Sequence, residues 1–286
     1  MMKTVFITGI SRGLGLKLTE YYLSEGYRVL GVSRTKTIEL ESLLGKYPSM
    51  LLWHQLDLSE VDVLEERLAK ILALVEKIDI FIDNAAILYK DLVHRIKEPE
   101  LAKMFAINTI APIVVTKVVI NNFLSHKTKG VIVHISSICA HRSFNGLSMI
   151  GATKAAMETF SKDTAYEYGR FGIRSNTVVL GLLEIGMKST VNDRLTEGLK
   201  SIAAQKRLID AQSAVDAIAF LTSEKSNCIE DFRCDSALTR CCICRDGKFC
   251  IRNCLHRLMR HSRAGIVTGR CWTQSASEDS VSRRSI

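Results

Sequence analysis

Between the first apolar run of the chain and its first helical pattern lies Thr8-Gly9-Ile10-Ser11-Arg12-Gly13-Leu14-Gly15. Glycines at this spacing let a backbone turn tightly and approach a pyrophosphate closely. The helix that starts there adds unpaired N–H groups and the positive end of its dipole. Gly9, Ser11, Arg12, Gly13, Leu14 and Gly15 are therefore candidates for phosphate binding. A glycine motif by itself also fits a simple turn; placed after a strand, inside a strand–helix–strand unit, it points to a dinucleotide. The second strand refines the chemistry. Sites selective for a free ribose 2′-hydroxyl commonly place Asp or Glu after that strand. Here it ends Val32-Ser33-Arg34-Thr35, with no carboxylate. Two solvated arginines are the plain alternative, but Arg34 and Arg12 together can pair with a 2′-phosphate, so NADP(H) is expected over NAD(H).

The elements that must hold this loop alternate along the chain. Strands are expected at Lys3–Thr8, Arg28–Val32, Met50–Gln55, Ile78–Ile82, Gly130–Ser136 and Ile173–Leu180. Helical patterns run from the glycine loop to Glu25, from Glu98 to Leu124, from Ser148 to Tyr168 and from Ala211 to Ser223. Ser59 is placed to cap a further helix reaching about Val75, with Leu64, Leu68, Ile71, Leu72 and Val75 on its buried face. Strands separated by helices require right-handed crossovers. The fold class expected is α/β, a Rossmann-type doubly wound parallel sheet with helices on both faces.

In that frame the chain resembles the short-chain dehydrogenase/reductase family, and within it members like the 3-oxoacyl-acyl-carrier-protein reductases, over about residues 3–225. The glycine loop matches that family's TGxxxGxG. Asp57 in Asp57-Leu58-Ser59 matches its adenine-contacting position. Asp83-Asn84-Ala85-Ala86 stands where Asn-Asn-Ala-Gly is usual. Asn108, Ile135-Ser136-Ser137 and Lys154 follow at the expected separations. The resemblance implies cofactor contacts at Asp57, Leu58, Asn84, Ala85, Lys154 and Gly181, and a small-molecule carbonyl or alcohol substrate. In the family a Tyr supplies the proton, and a Lys four residues later lowers its pKa and holds the nicotinamide ribose. A Ser polarises the carbonyl, and an Asn anchors a water relay. Matched residue by residue, Ser137, Lys154 and Asn108 take the last three roles. The tyrosine position, four before Lys154 and thirteen after Ser137, holds Ile150, which has no proton to give. Ser148 and Thr153 are off the required face, and Tyr89 and Tyr166 are remote in sequence. Leu180-Gly181 replaces the usual Pro-Gly, and Leu182–Arg207 falls where the family has its variable substrate loop. An impaired NADP-dependent oxidoreductase is the first reading. A non-catalytic NADP(H)-binding sensor or hetero-oligomer subunit is the second.

The last part of the chain differs from the rest. Residues 1–227 hold 18 Lys and 10 Arg, whereas 228–286 hold 1 Lys, 10 Arg and eight of the nine cysteines. The expected division is a nucleotide-binding domain over 1–227 and an atypical tail over 228–286 that stays outside the fold and forms no seventh strand. Only Ile266-Val267-Thr268-Gly269 faintly resembles the missing strand. Cys241, Cys244, Cys250 and Cys254, with His256 and His261, also permit a zinc reading. Their five-residue spacer is short, and a foreign or out-of-frame segment explains the composition better, so no metal is expected. Of the net charge of +9, +5 falls in the tail; the body is nearly balanced, and nucleic acid is not expected as a partner. Met104–Ile120 is the most apolar stretch, but Asn108, Pro112 and Lys117 interrupt it, so it reads as buried helix and no membrane span is expected. Entry straight into a strand argues against a secretory signal, so a cytoplasmic location is expected. The resemblance implies a homodimer or homotetramer, weakened if the tail replaces the last strand.

Overall fold

A computed structural model describes residues 2–186, 196–198, 200, 207–229 and 233–235. Among the described residues seven strands form one sheet: β1 Thr4–Thr8, β2 Arg28–Ser33, β3 Leu51–Gln55, β4 Ile80–Asp83, β5 Val131–Ser137, β6 Arg174–Leu180 and β7 Arg233–Asp235. Their order is β3-β2-β1-β4-β5-β6-β7, and every pairing is parallel. The chain reverses direction of travel across the sheet between β1 and β4, which opens a crevice at the carboxyl ends of these strands.

Residue alternation within the strands builds the two layers around the sheet. Val5 and Ile7 of β1 pack with Leu18 and Tyr22 of α1 (Gly13–Ser24) and with Ile218 and Leu221 of α7 (Ala211–Thr222). Phe6, between them, faces the other way. It stacks on Phe81 at 5.3 Å between ring centres, over Leu64 and Leu68 of α3 (Val61–Leu72) and Val115, Val119 and Phe123 of α5 (Ala111–Ser125). Each such side chain, taken fully from water, contributes about 1.5–3 kcal/mol. On β5 the alternation carries chemistry: Val133 and Ile135 join the α1 layer, while Ile132, His134 and Ser136 lie on the face covered by α6 (Ser148–Tyr168).

Several sequence expectations need correction. A short helix, α2 (Ile38–Lys46), was not foreseen. Thr37 caps it by accepting from Leu40 N at 3.3 Å, but only Leu40 and Leu43 are buried, so no apolar period announces it. Ser59 does not cap α3. Its hydroxyl and N–H both donate to Asp57 Oδ1, at 2.7 and 2.9 Å, because an ionised carboxylate is the stronger acceptor. The long helical region divides into α4 (Glu98–Phe105), a π-helical turn (Ala106–Ile110) and α5. Taken together, Glu98–Ser125 is long and apolar enough to cross a membrane, contrary to the expectation that no run would be. Of its most apolar window 56% is buried, with Ala111, Val115, Val119 and Phe123 in the core, as in the core helix of a soluble domain. A seventh strand does exist: Arg233–Asp235 pairs with Thr177–Val179 of β6. The fold therefore continues past Asn227, for Ile229 O accepts from the Arg174 guanidinium and the Asn176 amide, each at 3.2 Å. The zinc-candidate residues and Ile266–Gly269 lie outside the described residues, as do Met187, Lys188 and Arg194 of the variable loop.

Candidate active site

The crevice is a cavity of about 780 Å³. At its β1 end the glycine loop is packed too closely for side chains. A Cβ on Gly15 would stand 2.2 Å from the carbonyl oxygen of Gly9, so α1 begins hard against the loop only because that residue is glycine. Asn84, just after β4, ties the loop down. Its Nδ2 donates to the carbonyls of Thr8 and Gly9 at 2.9 and 3.2 Å, while Thr8 Oγ1 accepts from Asn84 N and Ala85 N, both at 3.0 Å. Thr37 fixes the far side by donating to Ser11 O at 2.7 Å. Arg12 and Arg34 stay exposed on the rim, and the backbone carbonyl of Arg34 is held by Gln55 Nε2 at 2.9 Å. Asp57 stands nearby. Burial pushes its carboxyl up, but the two bonds from Ser59 and the charges of Arg34 and Lys103 outweigh this and hold it below the usual range.

At the other end, β5 and α6 meet. A Cβ on Gly151 would lie 2.4 Å from Cys139 O, so this glycine lets α6 come against the turn that follows Ser137. Ser137 Oγ accepts from Cys139 N at 3.2 Å and lines the cavity. Lys154 also lines it, 4% exposed. Burial drives its pKa down, opposed by the negative charges of Asp83 and Glu158. Asp83 is itself buried, bonded to His134 Nδ1 at 3.1 Å and to Thr8 Oγ1 at 3.5 Å. Ile150, one turn before Lys154, forms cavity wall and belongs to an apolar cluster with Met104, Leu147 and Met149.

Of the residues singled out from sequence, Gly9, Ser11, Arg12, Gly13, Leu14, Arg34, Asp57, Leu58, Asn84, Ala85, Ser137, Lys154 and Gly181 all line this one cavity. Gly15 and Asn108 do not. Asn108 is fully buried behind the wall in the π-helical turn. It holds the backbone of Ile87 in both directions, Nδ2 to Ile87 O and Ile87 N to Oδ1, each at 2.9 Å. It thus acts on the cavity through Ile87, which does line it. Tyr89, remote in sequence, is packed against the Ile150 cluster, but its hydroxyl donates to Asp91 Oδ2 at 3.1 Å. Tyr166 is 91% exposed. The sequence reading missed Thr37, Cys139 and the polar column Asp83, His134, Ser136 and Glu158. The strand alternation in Ile132-Val133-His134-Ile135-Ser136 and the four-residue step from Lys154 to Glu158 were the available signals.

The short chain dehydrogenase family matches residues 3–196. The chain is 28% identical to the 3-oxoacyl-(acyl-carrier-protein) reductase FabG of Escherichia coli (strain K12) over 226 residues, 78% of this chain and 91% of that protein. It is 26% identical to the L-xylulose reductase of Bos taurus over 227 residues, 79% of this chain and 91% of the other. Among solved structures, ElxO with NADP bound superposes with a TM-score of 0.73 at 26% identity, covering 82% of this chain and 97% of that one.

Proposed function

The chain belongs to the short chain dehydrogenase family of oxidoreductases, and we propose that it binds NADP(H) and reduces a small carbonyl compound, or oxidises the alcohol, at a low rate. One observation carries this reading. A single cavity is lined by the glycine loop, by two rim arginines with no carboxylate at the end of β2, and by Ser137 and Lys154, with isoleucine one turn before the lysine. The residues fit the nucleotide. The loop and the start of α1 present N–H groups for its pyrophosphate, Arg12 and Arg34 stand ready for a 2′-phosphate, Asp57 and Leu58 for the adenine, and Lys154 for the nicotinamide ribose. When bound, the nicotinamide supplies or takes the hydride. Ser137 Oγ holds the substrate oxygen, and Ile150 occupies the place of the family's tyrosine. Two reductases among the relatives, and a structural neighbour solved with NADP, support the cofactor and substrate class. We read the assembly as a homodimer or homotetramer, as the family resemblance implies.

Fluorescence titration tests the reading: NADPH should bind clearly more tightly than NADH. Arg34→Asp should remove at least ~1.5 kcal/mol of that preference, the low side of a hydrogen bond to a charged group, and so narrow it about tenfold or more. Equal affinities in the native protein would sink the assignment. The apolar wall around Ile150 favours a second reading, a nucleotide-binding protein without turnover. Tight NADPH binding with no reduction across a broad carbonyl panel would select it.

A further inference from the structure

Reduction of a carbonyl leaves an oxygen that needs a proton, and Ile150 has none. At the β5 end the described cavity lining includes two hydroxyl-bearing residues, Ser136 and Ser137. The Ser137 hydroxyl caps the turn after β5. Ser136 differs, because its hydroxyl donates at 2.5 Å to Oε1 of Glu158, one helical turn beyond Lys154. The Glu158 carboxylate in turn lies 2.8 Å from Nε2 of His141. Exposure rises along this line, from 4% for Ser136 to 14% and 22% for the side chains of Glu158 and His141. A hydrogen-bonded path thus runs from the cavity wall to solvent. The contrast with the other carboxylate beside Lys154 is instructive: Asp83 and its partner His134 are at most 2% exposed and lead nowhere. Tyr89 is no rival, since it is not part of the cavity wall and its hydroxyl is engaged by Asp91.

We propose that Ser136, Glu158 and His141 carry protons between solvent and the substrate oxygen, in the stead of a phenol at position 150. The proposal rests on the reductase reading above. In reduction the new alkoxide takes the proton of Ser136 Oγ. Oγ takes a proton held on Glu158, and Glu158 takes the Nε2 proton of His141, which water replaces. Both electrons arrive with the hydride, so only protons move along the path. In oxidation the order reverses, and Ser136 donating to Glu158 is the arrangement that receives a proton from an alcohol. Among the described residues, the charged and titratable groups beside Glu158 are Lys154 on its own helix and His141; Asp83 on β4 acts on Lys154 from the sheet and is itself bonded to His134. Ser136 is the group that meets substrate, and the other two act through it.

The test uses His141→Gln and Ser136→Ala in the native chain and in Ile150→Tyr. In the native chain each should lower NADPH-dependent reduction of a reactive diketone about tenfold, less than the ~10²–10⁴-fold of a well-placed general acid. His141→Gln should also remove a limb of the pH–rate profile, and added imidazole should restore the rate. In Ile150→Tyr the loss should shrink, because the phenol bypasses the path. NADPH affinity, read by fluorescence, should hold in both variants. Undiminished rates in both variants with NADPH bound would overturn the path. So would a native chain that binds NADPH and never turns over while Ile150→Tyr does. Failure to bind NADPH at all defeats the reductase reading first, and the path with it.

Discussion

The two halves of the sheet share one crevice and treat their polar groups in opposite ways. On the β1–β2–β3 side, backbone and small side chains spend their hydrogen bonds on fixing the rim: Thr37 to Ser11, Gln55 to Arg34, Asn84 to the glycine loop. The arginines are left exposed toward the cavity. On the β4–β5–β6 side the polar groups pair with one another at the wall or behind it. Asp83 bonds His134, Ser136 bonds Glu158 and Asn108 bonds the backbone of Ile87, while the wall itself includes Ile107, Ile138, Leu147 and Ile150. Binding an anionic nucleotide needs exposed cations and free N–H groups, which the first half presents. Proton transfer needs a group that can reach the substrate, and in the second half the Ser136 hydroxyl already donates to Glu158. The two halves can therefore be probed separately.

The largest effect should come from the edge of the second half. Ending the chain at Asn227 deletes Ile229 O, an acceptor for two buried donors on β6, together with the strand that covers the sheet edge. A buried donor that loses an acceptor costs about 1–3 kcal/mol, and more when charged. Urea melts should find that chain several kcal/mol less stable than one ending at Asp235, and poorly soluble through its bare edge. Equal midpoints would mean that β7 contributes nothing and that the division at Asn227 stands after all.

Next in size is the acid itself. Ile150→Tyr places a phenol one turn before Lys154, so reduction of a reactive diketone should rise by ~10²-fold or more, the low end for a restored general acid. Adding Lys154→Ala should abolish the gain, because the phenol's pKa is then no longer lowered by a neighbouring cation. Stopped-assay rates for the single and double variants decide it. A native rate equal to that of the tyrosine variant would erase the contrast between the halves.

How far the sequence foretold this molecule also differs between the halves. Strand positions were legible to within two residues, because short apolar runs between helical periods leave few alternatives. The glycine loop was legible too, since glycine spacing records local backbone geometry. The helix α2 was not, because a nine-residue helix with two buried residues has no period to read. The column Asp83, His134, Ser136 and Glu158 escaped because its members come from two strands and a helix, and only the sheet register brings Asp83 beside His134. Asn108 was singled out by spacing, but its place behind the wall depends on the π-helical turn, which residue types do not announce. The seventh strand was missed because three residues inside a stretch of foreign composition carry no alternation to detect.

The smallest effect probes the charge buried where the halves meet. Lys154 has its pKa pushed below 10.5, by burial first, with Asp83 and Glu158 opposing. In the unfolded chain it reverts to the ordinary value. Between the two values the unfolded state holds a proton that the folded state has released, so stability rises as pH climbs through the folded pKa toward 10.5. Below the folded pKa both states are protonated, and this slope vanishes. One proton sets its ceiling at about 1.4 kcal/mol per pH unit. Lys154→Met keeps the length of the side chain and removes the titration. Other groups titrate in both proteins, so the quantity to follow is the difference between their unfolding free energies, taken from urea melts at successive pH values. That difference should move in favour of the native chain as pH rises on the alkaline side, and NADPH affinity of the native chain should fall over the same interval. A difference that stays flat to 10.5 would mean that Lys154 keeps its proton throughout, its two carboxylate neighbours outweighing burial. The second half would then present a cation to the cavity as firmly as the first.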